Sequence, residues 1–301
     1  MKAGLIVNAD DLGLDAPTTR GIVSAYQRGI VSSASLMVTM PAAEDAAKTA
    51  RAMDLPVGLH VSLTEGRAVA RTDLYRLADD CGRFNLLPQR LIRVSRKDST
   101  LITQIRTEMR AQLTRAVDLG LTLTHVDSHQ HVHMNPVLFK ALEEEALAFG
   151  IRRIRFSREP LRVLFLARAY AQILKRNNLP KWLITRAYSS RIKPRLERPD
   201  LFFGVLNSGA LLKPVLLNIL ATIPSHKSVE ICVHPGLPDP LSAAPGGPFG
   251  AFSRSVLRRF EHDALVDPEV IAFIQKRGLR LVSFDGSPKF SSTSPLSDPQ
   301  Q

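Results

Sequence analysis

Sulfur is scarce in this chain: 301 residues contain two cysteines, Cys81 and Cys232, far apart and in no CxxC pattern. Neither a disulfide framework nor a thiolate zinc site can organise such a fold, and a reducing, cytoplasmic setting is expected. No apolar run reaches the roughly 18 residues of a membrane span, because Arg162, Arg168 and Lys213 interrupt the most apolar stretches. The opening MKAGLIVNADDLG has too short an apolar part, and too early a pair of acids, for a secretory signal. Acid is nearly missing from one segment. Between Arg162 and Arg198 ten lysines and arginines face a single acid, Glu197, so nine of the twelve net positive charges sit there. That segment is also poor in aromatics (Phe165, Tyr170, Trp182, Tyr188) and matches no nucleic-acid-binding motif, so no nucleic-acid partner is expected.

What is present is alternation. Short apolar runs at 4–7, 33–38, 56–63, 121–126, 153–156, 201–206, 228–233 and 279–284 are separated by helical patterns at 15–28, 41–53, 99–118, 136–149, 208–223 and 267–277. Several of these patterns stop at glycine: Gly29, Gly120, Gly150 and Gly278. Strand and helix in repeated alternation imply a parallel sheet. The expected fold is an α/β (β/α) barrel of seven or eight parallel strands, TIM-barrel-like and a single domain over 1–286, with a doubly wound open sheet as the alternative. Residues 64–97 and 158–200 are too long for ordinary βα loops and read as insertions. The tail 287–301 is low in complexity and is expected to be disordered.

Polar residues gather at the carboxyl ends of these runs. NADD (8–11) follows the first, His60 lies in the third, THVDSHQHVH (124–133) closes the fourth, and HPG (234–236) follows the seventh. In parallel α/β folds that edge builds sites, so groups more than two hundred residues apart in sequence would meet. Four of the eight histidines fall in the fourth motif. As an extended strand it would point His125, Asp127, His129, His131 and His133 to one face. Taken singly, each feature has an ordinary structural cause: an Asp as a helix cap, a histidine buried in a core, a turn residue before proline. Asp15 is a better cap for the first helix than Asp10 or Asp11, and convergence on one edge tells against a merely structural role for the histidines. Aspartates and histidines without thiolate suit one divalent ion, Mg²⁺, Mn²⁺ or Zn²⁺. Such an ion with an open position activates water, and a neighbouring carboxylate can take the proton. Asp10 and Asp11, adjacent in an extended stretch, point in opposite directions and can divide those two roles.

NADDLG, SASLMV, VGLHVSL, THVDSHQHVH and ICVHPG, in that order and spacing, resemble the YdjC-like carbohydrate deacetylase family, from about residue 3 to 285. The resemblance implies a (β/α) barrel hydrolase that removes an acetyl group from an N-acetylated sugar with one divalent metal, magnesium first and zinc or manganese as alternatives. It implies Asp11, His60 and His129 as metal ligands, Asp10 as general base and His234 as the acid that protonates the leaving amine. Asp127, His131, His133, Arg258 and Glu261 are implied to orient these groups or to touch substrate, while His125 belongs lower in the strand. Leu12 stands where the family usually has Phe. FSREPLR and the basic segment after it resemble a hopanoid-associated branch, which implies a glycolipid substrate.

Two other functions compete. One is a basic binding module with structural histidines; the other keeps the metal but cleaves phosphoesters, and lacks a second carboxylate cluster for paired ions. Runs such as LRVLFLARAYAQILKR (161–176) mix aliphatic and basic residues as interfacial helices do. Peripheral contact of 162–198 with an anionic inner-membrane leaflet is therefore an expectation, as is a homodimer.

Overall fold

The computed structural model describes residues 1–162, 178–237 and 254–289. Its centre is a six-stranded parallel sheet in the order β4-β3-β2-β1-β6-β5. The strands are β1 (Gly4–Leu12), β2 (Ser33–Leu36), β3 (Val57–Val61), β4 (Leu123–Ser128), β5 (Leu201–Phe203) and β6 (Ser228–Val233). Between them run α1 (Ala16–Arg28), α2 (Ala43–Ala52), α3 (Pro88–Ile92), α4 (Ser99–Asp118), α5 (Pro136–Ala148), α6 (Asn178–Ser189) and α7 (Lys213–Thr222), with α8 (Val256–Leu265) and α9 (Pro268–Lys276) after β6. β1, β2, β3 and β6 are buried nearly throughout, as expected for strands covered on both faces.

Seven or eight strands are not found among the described residues. The 153–156 run is hydrogen-bonded on both sides but makes only isolated bridges, Ile154 to Val126 and Arg153 to Glu197. The 279–284 run makes two isolated bridges, Leu281 to Leu5 in the sheet and Val282 to Pro288 after the chain turns back through Asp285 and Gly286. β5 is three residues long rather than six. Gly204 takes φ 130, and its amide and that of Leu206 leave the sheet to bond the carboxylate of Glu159.

Asp15 caps α1 as expected, its Oδ1 accepting from the Thr18 amide at 2.7 Å. The helix expected at 208–223 begins only at Lys213, with Pro214 in its first turn. Within the first insertion, Arg67 pairs with Arg83 and Ala78 with Phe84 in isolated antiparallel bridges. Residues 290–301 of the expected tail, and 163–177 of the second insertion, lie outside the described residues.

Glu159 gives the fold a pH dependence. Burial pushes its carboxyl from the ordinary 4.5 up to about 7, against hydrogen bonds from the amides of Gly204 and Leu206 that favour ionisation. Below pH 4.5 the group is protonated in both folded and unfolded chains and contributes nothing. Between 4.5 and about 7 the unfolded chain releases its proton first, so stability falls as pH rises, by up to about 3 kcal/mol, and then levels. Denaturant unfolding of the wild type and Glu159→Gln across pH 4.5 to 8 should show a steeper fall in the wild type, the remaining slope of the variant coming from Glu230 and Glu261, which are raised into the same range. Equal slopes would remove Glu159 as its origin.

Candidate metal centre and active site

The site lies at the carboxyl edge of β1, β3, β4 and β6. β1 carries an irregularity between Ala9 and Leu12 in its register with β2, and Asp11 takes φ 70, the left-handed region that non-glycine residues seldom occupy. This twist separates two neighbouring carboxylates. Asp10 faces inward to the strands, and Asp11 faces the histidines.

Around Asp11 three potential ligand atoms converge. Its Oδ1 lies 3.7 Å from His60 Nε2 and 3.4 Å from His129 Nδ1. Asp11, His60 and His129 are all buried, and their ligand atoms lie within 4.8 Å of one another. His60 is aimed by its cross-strand neighbour Asp127, whose Oδ1 accepts from His60 Nδ1 at 2.6 Å and leaves Nε2 directed at Asp11. A carboxylate behind a histidine is the usual way to orient a metal-binding imidazole. Burial would lower the pKa of His60, but Asp127, Asp10 and Asp11 together push it up to about 9. Nε2 therefore carries a proton that a bound metal would have to displace. Burial would raise Asp11, yet Arg258, whose Nη2 bonds Oδ2 at 2.5 Å, and His129 hold its carboxyl far below the usual range. Two imidazoles and an ionised carboxylate, with no well-formed hydrogen bond on Asp11 Oδ1 among the described residues, fit one divalent ion.

Asp10 sits in a different environment. Both its oxygens accept from Arg155, Oδ2 from Nη1 and Oδ1 from Nη2, each at 2.6 Å. Asn8 Nδ2 bonds Oδ1 at 2.8 Å, and the Cys232 thiol donates to Oδ2 at 3.2 Å. Two further groupings could hold an ion on distance alone, Asp10 with Cys232 and His234, and Asp10 with His60 and Asp127. Arg155 decides against both, since it takes both oxygens of Asp10, whereas Arg258 takes only Oδ2 of Asp11. Burial would raise Asp10, but Arg155 and then His60 hold it well below the ordinary carboxylate value.

Sequence reasoning misses Arg155. It is fully buried and also bonds Asp127 at 2.9 Å and Glu230 at 2.6 Å. A carboxylate cluster therefore does exist, Asp10, Asp127 and Glu230, but it is bridged by one guanidinium. The available signal is a charge inside each of two apolar runs, Arg155 in RIRF and Glu230 in SVEICV. Buried charges are rarely tolerated unpaired.

The extended form of the histidine motif holds only to Ser128. From His129 the chain turns into a short 3-10 stretch to Met134, with Gln130 and His131 at φ 56 and 57. His129 thus reaches Asp11, while His131 bonds Ser157 Oγ at 3.0 Å and His133 bonds Ser128 Oγ at 2.6 Å and the Arg155 carbonyl at 3.2 Å. Burial holds both below the ordinary histidine value, so they are neutral supports of the turn and of Arg155. His125 lies lower, stacked on Phe284 at 3.6 Å and touching Ser35, and burial lowers it to about 3. Gly58 permits this, because a Cβ there would fall 2.3 Å from the His125 ring.

After β6, the His234 amide donates to Glu261 Oε2 at 2.6 Å, and the Leu211 amide donates to Glu261 Oε1 at 3.0 Å. Arg258 and Glu261, one turn apart on α8, thus divide the work: one holds Asp11, the other holds the HPG backbone. The Gly236 amide bonds the Arg258 carbonyl, which fixes that loop to α8. Beside the centre lies a cleft of about 1330 Å³ lined by Gln130, Glu65, Thr39, Met40, Arg67 and Phe84, among others.

An α/β sheet that gathers two histidines and an aspartate at its carboxyl edge, with a second aspartate held ionised alongside, defines a metal-dependent hydrolase type of site. The chain belongs to the YdjC-like protein family, whose model matches residues 4–276. It is 32% identical over 281 residues to a carbohydrate deacetylase of Geobacillus stearothermophilus, covering 93% of this chain and 96% of that protein. It is 33% identical over 303 residues to a carbohydrate deacetylase of Mus musculus, covering 94% of each. A chitooligosaccharide deacetylase of Serratia marcescens is 38% identical over 162 residues, 53% of this chain and 61% of that one. Among solved structures, a protein of Enterococcus faecalis described as a cellobiose-phosphate cleavage protein shares the fold with TM-score 0.69 and 23% identity, covering 95% of this chain and 98% of that one.

Proposed function

We propose that this protein is a carbohydrate deacetylase that hydrolyses the acetamide of an N-acetylated sugar with one divalent metal, magnesium first, held by Asp11, His60 and His129. The observation that carries the reading is the convergence of those three ligand atoms beside a separate, arginine-held carboxylate. A divalent ion there supplies Lewis acidity to the acetyl carbonyl and makes a nearby water more acidic. Asp10 takes the water's proton. Arg155 keeps Asp10 ionised, and because its charge is shared with Asp127 and Glu230, Asp10 is not fully neutralised. Burial lowers the pKa of His234 to about 4, so it is neutral at rest; the proton that Asp10 takes from water passes to His234, whose ring nitrogen lies within 4.8 Å of the Asp10 carboxylate, and from there to the departing amine. Water oxygen bonds to the acetyl carbon, the C–N bond breaks, and acetate and the free amine leave.

A second reading, a glycolipid substrate with 162–198 lying on an anionic leaflet, is favoured by exposed Leu161, Leu179 and Leu183 beside the basic residues. Among the described residues no helix is long and apolar enough to cross a membrane.

Acetate release from soluble acetamido sugars and from acetamido glycolipids, with and without chelator, tests both readings. Chelator should abolish release and added metal restore it. His60→Ala and His129→Ala should lose the metal by elemental analysis; undiminished metal in both would reject the ligand assignment.

A further inference from the structure

Helix α4 is polar along one buried row. Gln104, Glu108 and Gln112, spaced four residues apart and therefore stacked on one side of the helix, are all buried beside Leu101, Ile105, Met109 and Leu113. Each bonds the backbone of another segment. Gln104 Oε1 accepts from the Arg76 amide at 3.0 Å. Glu108 accepts from the Val69 amide at 3.0 and 3.1 Å, one distance to each oxygen, and its Oε2 accepts from the Ala70 amide at 2.9 Å. Gln112 Nε2 donates to Glu108 Oε1 at 2.8 Å and to the Ser62 carbonyl at 2.6 Å, while its Oε1 accepts from the Ser62 amide at 3.1 Å.

These bonds tie the cleft to the metal centre. Val69 and Ala70 belong to the first insertion and line the cleft. Ser62 follows β3, two residues after His60, and its Oγ accepts from the Glu65 amide at 3.1 Å and donates to the Glu65 carbonyl at 2.8 Å. Glu65 lines the same cleft. A continuous path thus runs from the 69–70 wall through Glu108 and Gln112 to the end of the strand that carries His60. Among the described residues no cation pairs with Glu108, which is closed to solvent, so its oxygens are met by N–H donors alone. A buried carboxyl is a costly filler for a helix face. What it provides is two acceptor atoms at a fixed separation, which set where Val69 and Ala70 lie.

We infer that Glu108 and Gln112 are positioning residues: they fix the 69–70 wall of the cleft relative to the strand that carries His60, and so hold the part of a saccharide substrate beyond its reacting acetamide in register with the centre. The inference rests on the deacetylase reading for its substrate. Both side chains are fully buried, so they act through the wall and not on the sugar. At about 1330 Å³ the cleft exceeds the roughly 300–1,000 Å³ of common small-molecule sites, which suits a substrate of more than one sugar residue.

The test uses Glu108→Gln, Gln112→Met and the double variant in the full chain. Glu108→Gln is near-isosteric but turns an amide nitrogen towards the Val69 and Ala70 amides or towards Gln112 Nε2, all of them donors. In turnover of an N-acetylated trisaccharide, each single variant should raise KM on the order of tenfold with kcat and bound metal nearly unchanged, because contacts remote from the reacting bond are lost. The double variant should be little worse than either single one, since both break the same chain of bonds. Hydrogen exchange should be faster at the Val69 and Ala70 amides in Glu108→Gln, with the amides of α4 protected as in the wild type. Loss of metal, or a fall in kcat at unchanged KM, would place the pair on the catalytic strand alone and overturn the assignment. Additive effects on KM, or unchanged exchange at Val69 and Ala70, would overturn it as well. If the wild type releases no acetate from any acetamido sugar, the deacetylase reading fails, and amide exchange alone decides whether Glu108 holds the wall.

Discussion

Arg155→Met should be the most destructive single change in this chain, costing roughly 3–5 kcal/mol or preventing folding. The methionine fills part of the volume but leaves Asp10, Asp127 and Glu230 buried together without the guanidinium that joins them, and His60 reaches only two of the three. Glu230 is already pushed up to about 8, by burial first and by the neighbouring Asp127, although Arg155 is in place. Without it, all three would be driven towards the neutral form. Arg155→Lys keeps one charge but cannot give two parallel bonds to Asp10 while also reaching Asp127 and Glu230, so it should fold better than Arg155→Met and still turn over poorly. The measurements are denaturant unfolding at pH 5 and 8 and acetate release. If Arg155→Met is as stable as wild type, the arginine is not what neutralises the cluster.

The second large effect should separate two adjacent aspartates. Asp10→Asn should retain metal and lose about 10²- to 10⁴-fold in turnover, because a base is removed while a near-isosteric side chain stays. Asp11→Asn should lose metal, since a carboxylate ligand is replaced by an amide and Arg258 loses its partner at the same time. Metal content by elemental analysis, read beside kcat, distinguishes the two. Equal loss of metal in both variants would mean that Asp10 also touches the ion, in conflict with its two bonds to Arg155.

Much of the site is legible in the chain because its residues are polar groups placed where strands end. Asp10, Asp11, His60, His129 and His234 all lie at such ends, and the parallel fold brings those ends together. His131 and His133 are the exception. Alternation predicts one face only while the backbone stays extended, and nothing in SHQHVH announces that Gln130 and His131 turn left-handed. Arg155 is hidden for another reason. Inside RIRF it looks like an ordinary strand residue pointing outward, and its importance depends on Asp10, Asp127 and Glu230, which come from three other strands. The number of strands is overcounted for a related reason: 153–156 and 279–284 have strand composition, but each has room for only isolated bridges at the sheet.

Asp127 touches both halves of the site: Oδ1 holds His60, and Oδ2 lies 2.9 Å from the Arg155 Nη1 that also binds Asp10. A charge change on one side of this carboxylate is therefore felt on the other. A metal on His60 Nε2 would displace the proton there while the ring went on donating Nδ1–H to Asp127 and the same guanidinium went on serving Asp10. Metal loading and the basicity of Asp10 would then not be separate settings in this molecule. Any substitution that retunes one will retune the other through a single shared side chain.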